Sequence, residues 1–246
     1  MRSTTSIGRG NRNPGLAVLY RVSLRILSVA LLGATLHGAP DLTTVLESMD
    51  AAASEWNGMR ARVESVSYMA LVDDRRVESG RIAVRRSGPS GVDLLLSYQD
   101  PYEYYIAVRG TKVERYKPKT KTVEEFDLSA SKEKLENAFL LGFGTAGSYL
   151  GEHYEISMES SEPVDDHPVV KLGLQPRDPG AETNNRPLEM WISTKTWQPV
   201  QQKIYHAIPG DYQLQLYSEI EMNPVFKGNE FKLNLKRGTN RVRPQW

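Results

Sequence analysis

The chain has 246 residues and a formal net charge of +1 at pH 7, and this balanced charge does not favour binding to nucleic acid. Hydrophobic residues make up 39% and charged residues 25% of the sequence, as in ordinary globular domains. The length allows one large domain or two small ones. Cysteine is absent, which excludes disulfides, thiolate nucleophiles, cysteine-ligated metals and an acylated cysteine on the chain itself.

The first 40 residues differ in composition from the rest of the chain. They contain five arginines and no acidic residue, and the apolar run ILSVALLGATL ends shortly before Gly38-Ala39-Pro40. This order is typical of a secretory signal, and the apolar run is shorter than the roughly 20 residues that span a bilayer. We therefore predict a signal peptide over 1–39, cleaved near 38–39, and an exported domain over 40–246. An uncleaved membrane anchor is the alternative.

An amphipathic helix is predicted at the start of the exported domain, over 41–57. Asp41 is a plausible N-cap, and the apolar residues that follow it recur at helical spacing from Leu42 to Trp56. Asn57-Gly58 is expected to end the helix.

The spacing of apolar residues then changes to two, which is typical of half-buried strands. About eleven strands at hairpin spacing are predicted, at 82–84, 94–98, 104–108, 113–116, 123–128, 154–158, 170–174, 188–192, 200–206, 212–216 and 231–235. A second helix is predicted within this series, over 131–141. The pattern indicates a mainly β fold, an antiparallel sheet with one apolar face that the two helices cover.

The loop LLGFGTAG contains Gly142, Gly144 and Gly147 at the spacing of a dinucleotide-binding turn. That turn requires a strand before the glycines and a helix after them. Here a predicted helix precedes them and a predicted strand follows, so we interpret the loop as a flexible joint after the helix. No cofactor is predicted.

The acidic and histidine residues do not form a recognisable catalytic or metal-binding pattern. Glu152 and His153 stand at a predicted strand entry, and Asp165, Asp166 and His167 are adjacent in a turn, where side chains diverge. The chain has no G-x-S-x-G, P-loop or H-E-x-x-H motif. We therefore predict no catalytic residues and no metal site, and we expect that the protein is not an enzyme.

Basic residues gather near one predicted hairpin. Arg81, Arg85 and Arg86 crowd one strand, and Arg75 and Arg76 stand in the turn predicted before it. The simplest interpretation is a solvated hairpin tip. The alternative is a docking surface for an acidic partner or a lipid headgroup.

The stretch VESGRIAVRRSGPSGVDLLLSYQDPYEYYIAVRGTKVERYKPKTKTVEEFDL, residues 77–128, resembles the LolA family of periplasmic outer-membrane lipoprotein carriers. The likeness extends over about 41–243 and includes the tail FKLNLKRGTNRVRP. It rests on the order of a strand-opening glycine, basic residues at the strand end, a strand leading to proline, a glycine turn and an aromatic-Xaa-Pro, here Gly80, Arg85-Arg86, Pro101, Gly110 and Tyr116-Lys117-Pro118.

The resemblance implies an unclosed, strongly curved antiparallel half-barrel with helices covering its concave face. It also implies a monomeric periplasmic carrier that holds the acyl chains of lipoproteins in an apolar cavity. Such a carrier receives its cargo from an inner-membrane ABC transporter and passes it to an outer-membrane receptor. Two alternatives keep this fold: a carrier of glycolipid or another lipid, and an envelope-stress sensor module.

The resemblance also assigns roles to individual residues. Arg86 falls where the family has an arginine linked to lid closure and cargo transfer. The family often has proline directly after that arginine, whereas Ser87-Gly88 follows here, so Arg85 is a rival. The helical insert 131–150 occupies the position of the family's lid.

Two sets of apolar residues are candidates for contact with the cargo, although each could equally belong to an ordinary core. The cavity candidates are Ile82, Val84, Leu94, Leu96, Tyr104, Ile106 and Val108. The lid candidates are Leu135, Phe139, Leu140 and Phe143.

Overall fold

The computed structural model describes residues 40–88, 91–127, 129, 143–160, 162–177 and 186–244. These residues fall within one unit, Ala39–Trp246. The predicted signal segment, the predicted helix 131–141 and the lid candidates Leu135, Phe139 and Leu140 lie outside the described residues. No helix in the described part of the chain has the length and apolar character needed to cross a bilayer.

The first helix, α1 (Leu42–Glu55), begins where the sequence predicts. The Asp41 side chain accepts a hydrogen bond from the backbone N–H of Thr44 at 2.8 Å, and this bond lowers the pKa of Asp41. Val45, Met49 and Ala53 are buried along one face of the helix. The predicted N-cap and apolar stripe are confirmed.

A twelve-stranded sheet forms the body of the fold. Its strands are β1 (Gly58–Met69), β2 (Asp74–Ser87), β3 (Gly91–Asp100), β4 (Tyr104–Arg109), β5 (Lys112–Lys117), β6 (Thr122–Asp127), β7 (Tyr154–Ser160), β8 (Val169–Pro176), β9 (Leu188–Ser193), β10 (Pro199–Tyr205), β11 (Tyr212–Met222) and β12 (Asn240–Val242). Their order across the sheet is β12-β6-β5-β4-β3-β2-β1-β11-β10-β9-β8-β7. Among the strand pairs of the described residues, only β12–β6 is parallel. Because β12 and β7 remain edges, the predicted unclosed, curved antiparallel sheet is confirmed.

Several local predictions were wrong. Strands β1 and β12 were not predicted, and the residues predicted as strand 231–235 are not in a strand. Arg75 and Arg76 lie within β2 rather than in a turn before it. A short helix, α2 (Gly147–His153), separates the glycine loop from β7, where a strand was expected to follow directly.

The two helices define an inner face of the sheet, and the opposite side is its outer face. On the inner face a first apolar cluster joins β1 to β4 and β11 with Trp56 and Phe143. A second apolar cluster joins α1, α2 and β7 to β9. The helices therefore cover the sheet mainly at the β7–β9 side.

The C-terminal segment 223–244, which we call the strap, crosses the outer face. Glu230 of the strap forms an ion pair with Arg60 of β1 at 2.5 Å. Further along, the backbone N–H of Lys236 donates to the hydroxyl of Tyr116 on β5 at 3.1 Å. The strap ends as β12, where Arg241 forms an ion pair with Glu114 of β5 at 2.7 Å.

Candidate functional site

The seven cavity candidates lie on one face of neighbouring strands. In the β2–β3 pair Ile82 stands opposite Leu96, and in the β3–β4 pair Leu96 stands opposite Ile106. Two residues further along β2, Val84 stands opposite Leu94 of β3, which in turn stands opposite Val108 of β4. All seven, including Tyr104, belong to or pack against the first apolar cluster on the inner face. Their shared face is thus observed, whereas contact with cargo stays a prediction.

Burial divides these residues into two levels. Val84, Leu94 and Val108 are buried, at the level of Trp56 and Phe143. Ile82, Leu96, Tyr104 and Ile106 keep part of their surface exposed, and we call these four residues the apolar strip. The first cluster is therefore well covered at one end and incompletely covered along the strip.

Trp56 and Phe143 cover the buried end of the first cluster. Phe143, a lid candidate, is buried and packs edge-on against Tyr217 with a ring-centroid separation of 4.8 Å. Among the described residues, the indole Nε1 of Trp56 is buried without a hydrogen-bond partner. An unpaired buried donor costs about 1–3 kcal/mol, so a ligand that supplied an acceptor there would be favoured.

Arg86 lies on the same side of the sheet as α1. Its guanidinium donates to the backbone carbonyl of Ala53 at 3.3 Å and stands 5.8 Å from the ring centroid of Trp56. A cation at the C-terminal end of a helix is favourable because the last carbonyls carry partial negative charge. Arg86 therefore ties the end of α1 to the end of β2.

The rival arginine, Arg85, points to the opposite face. It forms an ion pair with Asp93 at 2.7 Å, and its guanidinium stands 4.7 Å from the ring centroid of Phe231 in the strap. Because successive side chains in a strand alternate between faces, only Arg86 can act on α1 and the first cluster. Arg86, and not Arg85, therefore lies beside α1, and its role in cargo transfer stays a prediction.

A row of polar side chains, not predicted from the sequence, lies between the two apolar clusters on the inner face. Gln213 donates to the hydroxyl of Ser65 at 3.1 Å, and Tyr217 donates to the side-chain oxygen of Gln215. Gln202 of β10 stands opposite Gln215 and is buried. Burial raises the pKa of Tyr217, which keeps its hydroxyl protonated as a donor. Glutamines spaced by two in β11 were the available signal.

The glycine loop is held by close contacts in its described part. Gly144 has a φ of +72°, and an added Cβ would stand 2.4 Å from the Cε3 of Trp56. At Gly147, the first residue of α2, an added Cβ would stand 2.1 Å from the carbonyl oxygen of Leu46 in α1. These two glycines thus permit close packing, and the flexible joint expected from sequence stays a prediction. Gly142 lies outside the described residues.

The polar candidates for chemistry remain scattered. His153 ends α2 and stacks on Tyr149 at a centroid separation of 4.1 Å. Asp165 and Asp166 stand in the turn that joins Val164 to His167. Within the described ranges, no three His, Asp or Glu residues are grouped closely enough to hold a metal ion.

No protein-family model matches the chain, and no curated protein sequence is similar to it. Similarity to solved structures is found at the level of the fold. The crystal structure of an uncharacterized conserved protein from Thermus thermophilus has a TM-score of 0.51 and 10% identity, covering 82% of this chain and 98% of that one. The crystal structure of MucB has a TM-score of 0.50 and 12% identity, covering 80% of this chain and 64% of that one.

A LolA superfamily protein from Nitrosomonas europaea, NE2245, is also similar, with a TM-score of 0.36 and 13% identity, covering 76% of this chain and 96% of that one. This chain spans less than two thirds of the MucB chain. At these identities the similarities to the Thermus thermophilus protein and to MucB show a shared fold and nothing about activity. The open half-barrel that the family resemblance implied is the fold observed.

Proposed function

We propose that the protein is a periplasmic carrier whose inner face binds the acyl chains of lipoproteins. The observation that carries this proposal is the apolar strip, four large apolar side chains on the face that elsewhere forms the core. Their partial exposure leaves apolar surface that a hydrocarbon chain would remove from water. That transfer is worth about 0.8 kcal/mol per buried CH₂ group.

The surroundings of the strip suit a ligand that is held and then released. The strip spans three adjacent strands, β2 to β4, and thus about 10 Å across the sheet. The buried residues next to it on the same face, Val84, Leu94 and Val108, give it a firm boundary. Acyl chains would add to an existing core rather than replace one, which limits the reorganisation that binding and release require.

Polar groups near the strip fit the ester and amide groups of an acylated N-terminus. Among the residues that the structure describes, the Nε1 of Trp56 has no hydrogen-bond partner, and it lies within the first cluster. Tyr104 lies in the strip itself, and burial raises the pKa of its hydroxyl, which therefore stays protonated. Ligand pockets commonly combine an apolar lining with a few such polar groups.

The transport route is the part of the proposal that rests on the sequence. The predicted signal peptide over 1–39 supports export, and the family resemblance supports loading by an inner-membrane ABC transporter and delivery to an outer-membrane receptor. In this route the protein acts as a monomer, and Arg86 links movement at the end of α1 to release of the cargo.

Binding of a fluorescent fatty acid and of a synthetic acylated lipopeptide tests the proposal directly. We expect both to bind the wild-type protein. Leu96→Glu should weaken binding by about tenfold or more, because it places a charge against the acyl chain. Val225→Glu is the matched control, since Val225 is 92% exposed on the strap, and it should bind as the wild type does. Circular dichroism of both variants checks that they are folded.

Three outcomes would contradict the proposal in different ways. If the wild type binds neither probe, the inner face is not an acyl-binding site. If Leu96→Glu binds like Val225→Glu, the binding site lies elsewhere. If native mass spectrometry of the protein recovered from the periplasm shows glycolipid and no lipoprotein, the cargo assignment is wrong while the binding face stands.

A further inference from the structure

Large exposed apolar side chains concentrate at one end of the described sheet. Leu71 is 89% and Val72 64% exposed in the 3₁₀ turn between β1 and β2, and Ile208 is 56% exposed in the turn between β10 and β11. Because β1 and β11 are hydrogen-bonded neighbours, these two turns lie side by side, and we call them the paired tips. Single exposed apolar residues are common, but several on adjoining turns form a patch.

The paired tips are fixed to one another. The backbone N–H of Ala70 donates to the carboxylate of Asp211 at 2.8 Å, which joins the two turns. Gly210 packs closely on Ala70, because an added Cβ would stand 2.7 Å from the Ala70 Cβ. The exposed aliphatic side chains are therefore presented on a braced structure.

A group of tyrosines with one lysine lies directly behind the paired tips. Tyr68 of β1 and Tyr212 of β11 stand opposite one another, with ring centroids 5.2 Å apart. The Nζ of Lys203 lies 4.3 Å from the ring centroid of Tyr212 and 4.8 Å from that of Tyr205. Moving back from the end of the sheet, the surface thus changes from aliphatic to tyrosine and lysine.

This order matches the profile of a bilayer surface. Aliphatic side chains are favoured in the acyl region, and tyrosine and lysine are favoured at the level of the headgroups. The acidic groups near the tips have partners: Asp211 accepts the bond from Ala70, Asp73 accepts from the hydroxyl of Tyr68 at 2.9 Å, and Asp74 stands 3.7 Å from Arg76. Their repulsion from phosphate groups is correspondingly reduced.

We propose that the paired tips dock the protein on a lipid bilayer, with Leu71, Val72 and Ile208 inserted below the headgroups. Tyr68, Tyr212 and Lys203 then lie at the headgroup level, where the lysine meets lipid phosphate. The occupant is the bilayer itself, because small protruding turns expose apolar surface that a disordered lipid surface can surround. This docking goes beyond the proposed acyl-binding site and does not depend on it.

An environment-sensitive dye placed on the tips tests the proposal. The chain contains no cysteine, so Leu71→Cys carries a thiol-reactive NBD dye at a single position, and exposed Leu71 makes few contacts that folding needs. The full chain is mixed with protein-free vesicles of phosphatidylcholine and phosphatidylglycerol. We expect the dye at position 71 to brighten and shift to the blue, as it does on entering an apolar phase. Val225→Cys carrying the same dye is the control and should not respond.

A second substitution tests whether both tips take part. Adding Ile208→Asp to labelled Leu71→Cys should lower the vesicle partition coefficient by about tenfold or more, because an isoleucine is no longer buried and a charge must enter the interface. Fatty-acid binding by the same variants should be unchanged, which separates this result from the proposed function.

Each other outcome overturns the docking proposal. A dye at position 71 that does not respond to vesicles excludes insertion of the tips. An equal response at position 225 shows non-specific adsorption, and an unchanged partition coefficient with Ile208→Asp shows that the tips do not act together. A response to native membranes but not to protein-free vesicles shows that the tips bind a protein instead.

Discussion

Gly147→Ala would test the close contact between α1 and α2 with the smallest possible change. The added Cβ would stand 2.1 Å from the carbonyl oxygen of Leu46, whereas ordinary van der Waals contact begins at 3.4 Å. The clash is with backbone, so the two helices must separate by more than an ångström rather than let a side chain rotate. Overpacking of this kind costs about 1–3 kcal/mol.

The higher helix propensity of alanine partly offsets this cost, and Gly151→Ala measures the size of that gain in stability. Alanine is favoured over glycine in a helix by up to about 1 kcal/mol, and with the full gain the net loss for Gly147→Ala is at most about 2 kcal/mol. At Gly151, in the same helix, the nearest atom to an added Cβ is the Leu46 Cδ1 at 4.0 Å. Gly151→Ala should therefore be neutral or stabilising.

Thermal and urea unfolding of the two variants gives the comparison. A net loss of about 2 kcal/mol corresponds to a fall in Tm of about 4–8 °C for a domain of this size. If Gly147→Ala is as stable as Gly151→Ala, the helices do not make the close contact described. The glycine loop would then need another explanation, such as the flexible joint that its sequence suggests.

Two further predictions concern arginines. Arg86→Leu should speed the release of bound acyl cargo, because the end of α1 loses its contact with the Arg86 side chain. The same substitution should lower the free energy of unfolding by no more than about 1 kcal/mol. If only Arg85→Leu, which breaks the pair with Asp93, changes the release rate, the role was assigned to the wrong arginine. Acid should loosen the strap. Burial of Glu114 opposes its charge, but hydrogen bonds from Arg241 and then Arg109 outweigh this effect and lower the pKa of Glu114. The contribution of Glu114 to folding stability is therefore complete above the ordinary carboxyl pKa and is lost as pH falls through the lowered value. Tm measured from neutral pH down to about pH 3 should fall less steeply in Arg241→Gln than in the wild type, and parallel curves would refute the strap's part in acid sensitivity.

Alternating apolar residues in β2 to β4 were enough to predict which side chains share the inner face. The missed strand β1 shows where that pattern becomes hard to read. Its first half places Met59, Ala61 and Val63 on the inner face, but further along Ser65 is buried on that face and Val66 is buried on the outer face. The apolar set therefore changes faces within one strand, and no single alternation runs through it.

The false strand at 231–235 has a different origin. Phe231 is buried, and Leu233 and Leu235 are half-buried, while the residues between them are exposed. An extended strap lying flat on the outer face produces the same spacing of two as a strand does, because one side faces the sheet. Only the absence of ladder hydrogen bonds distinguishes the two, and that absence leaves no mark on the sequence.

Contacts between distant segments could not be read from local patterns at all. Gly147 meets Leu46 across about a hundred residues of chain, and the guanidinium of Arg86 reaches Ala53 only because β2 ends beside α1. The spacing of the glycines carried a local meaning, a phosphate-binding turn, which its neighbours ruled out. Its actual role depends on which helix packs against it, and only the tertiary structure supplies that information.

The division of the inner face explains how a stable fold can leave apolar surface incompletely covered. The second cluster places Leu172, Met190 and Ile192 in full burial beneath the helices, and burial of this kind supplies stability that needs no ligand. The row of polar side chains on β11 limits the spread of that core, because these side chains form hydrogen bonds with polar neighbours. The strip at Ile82 and Leu96 can therefore gain or lose contact with a hydrocarbon chain without unfolding the rest of the sheet. In a protein with one continuous core, the same exposure would weaken the whole domain.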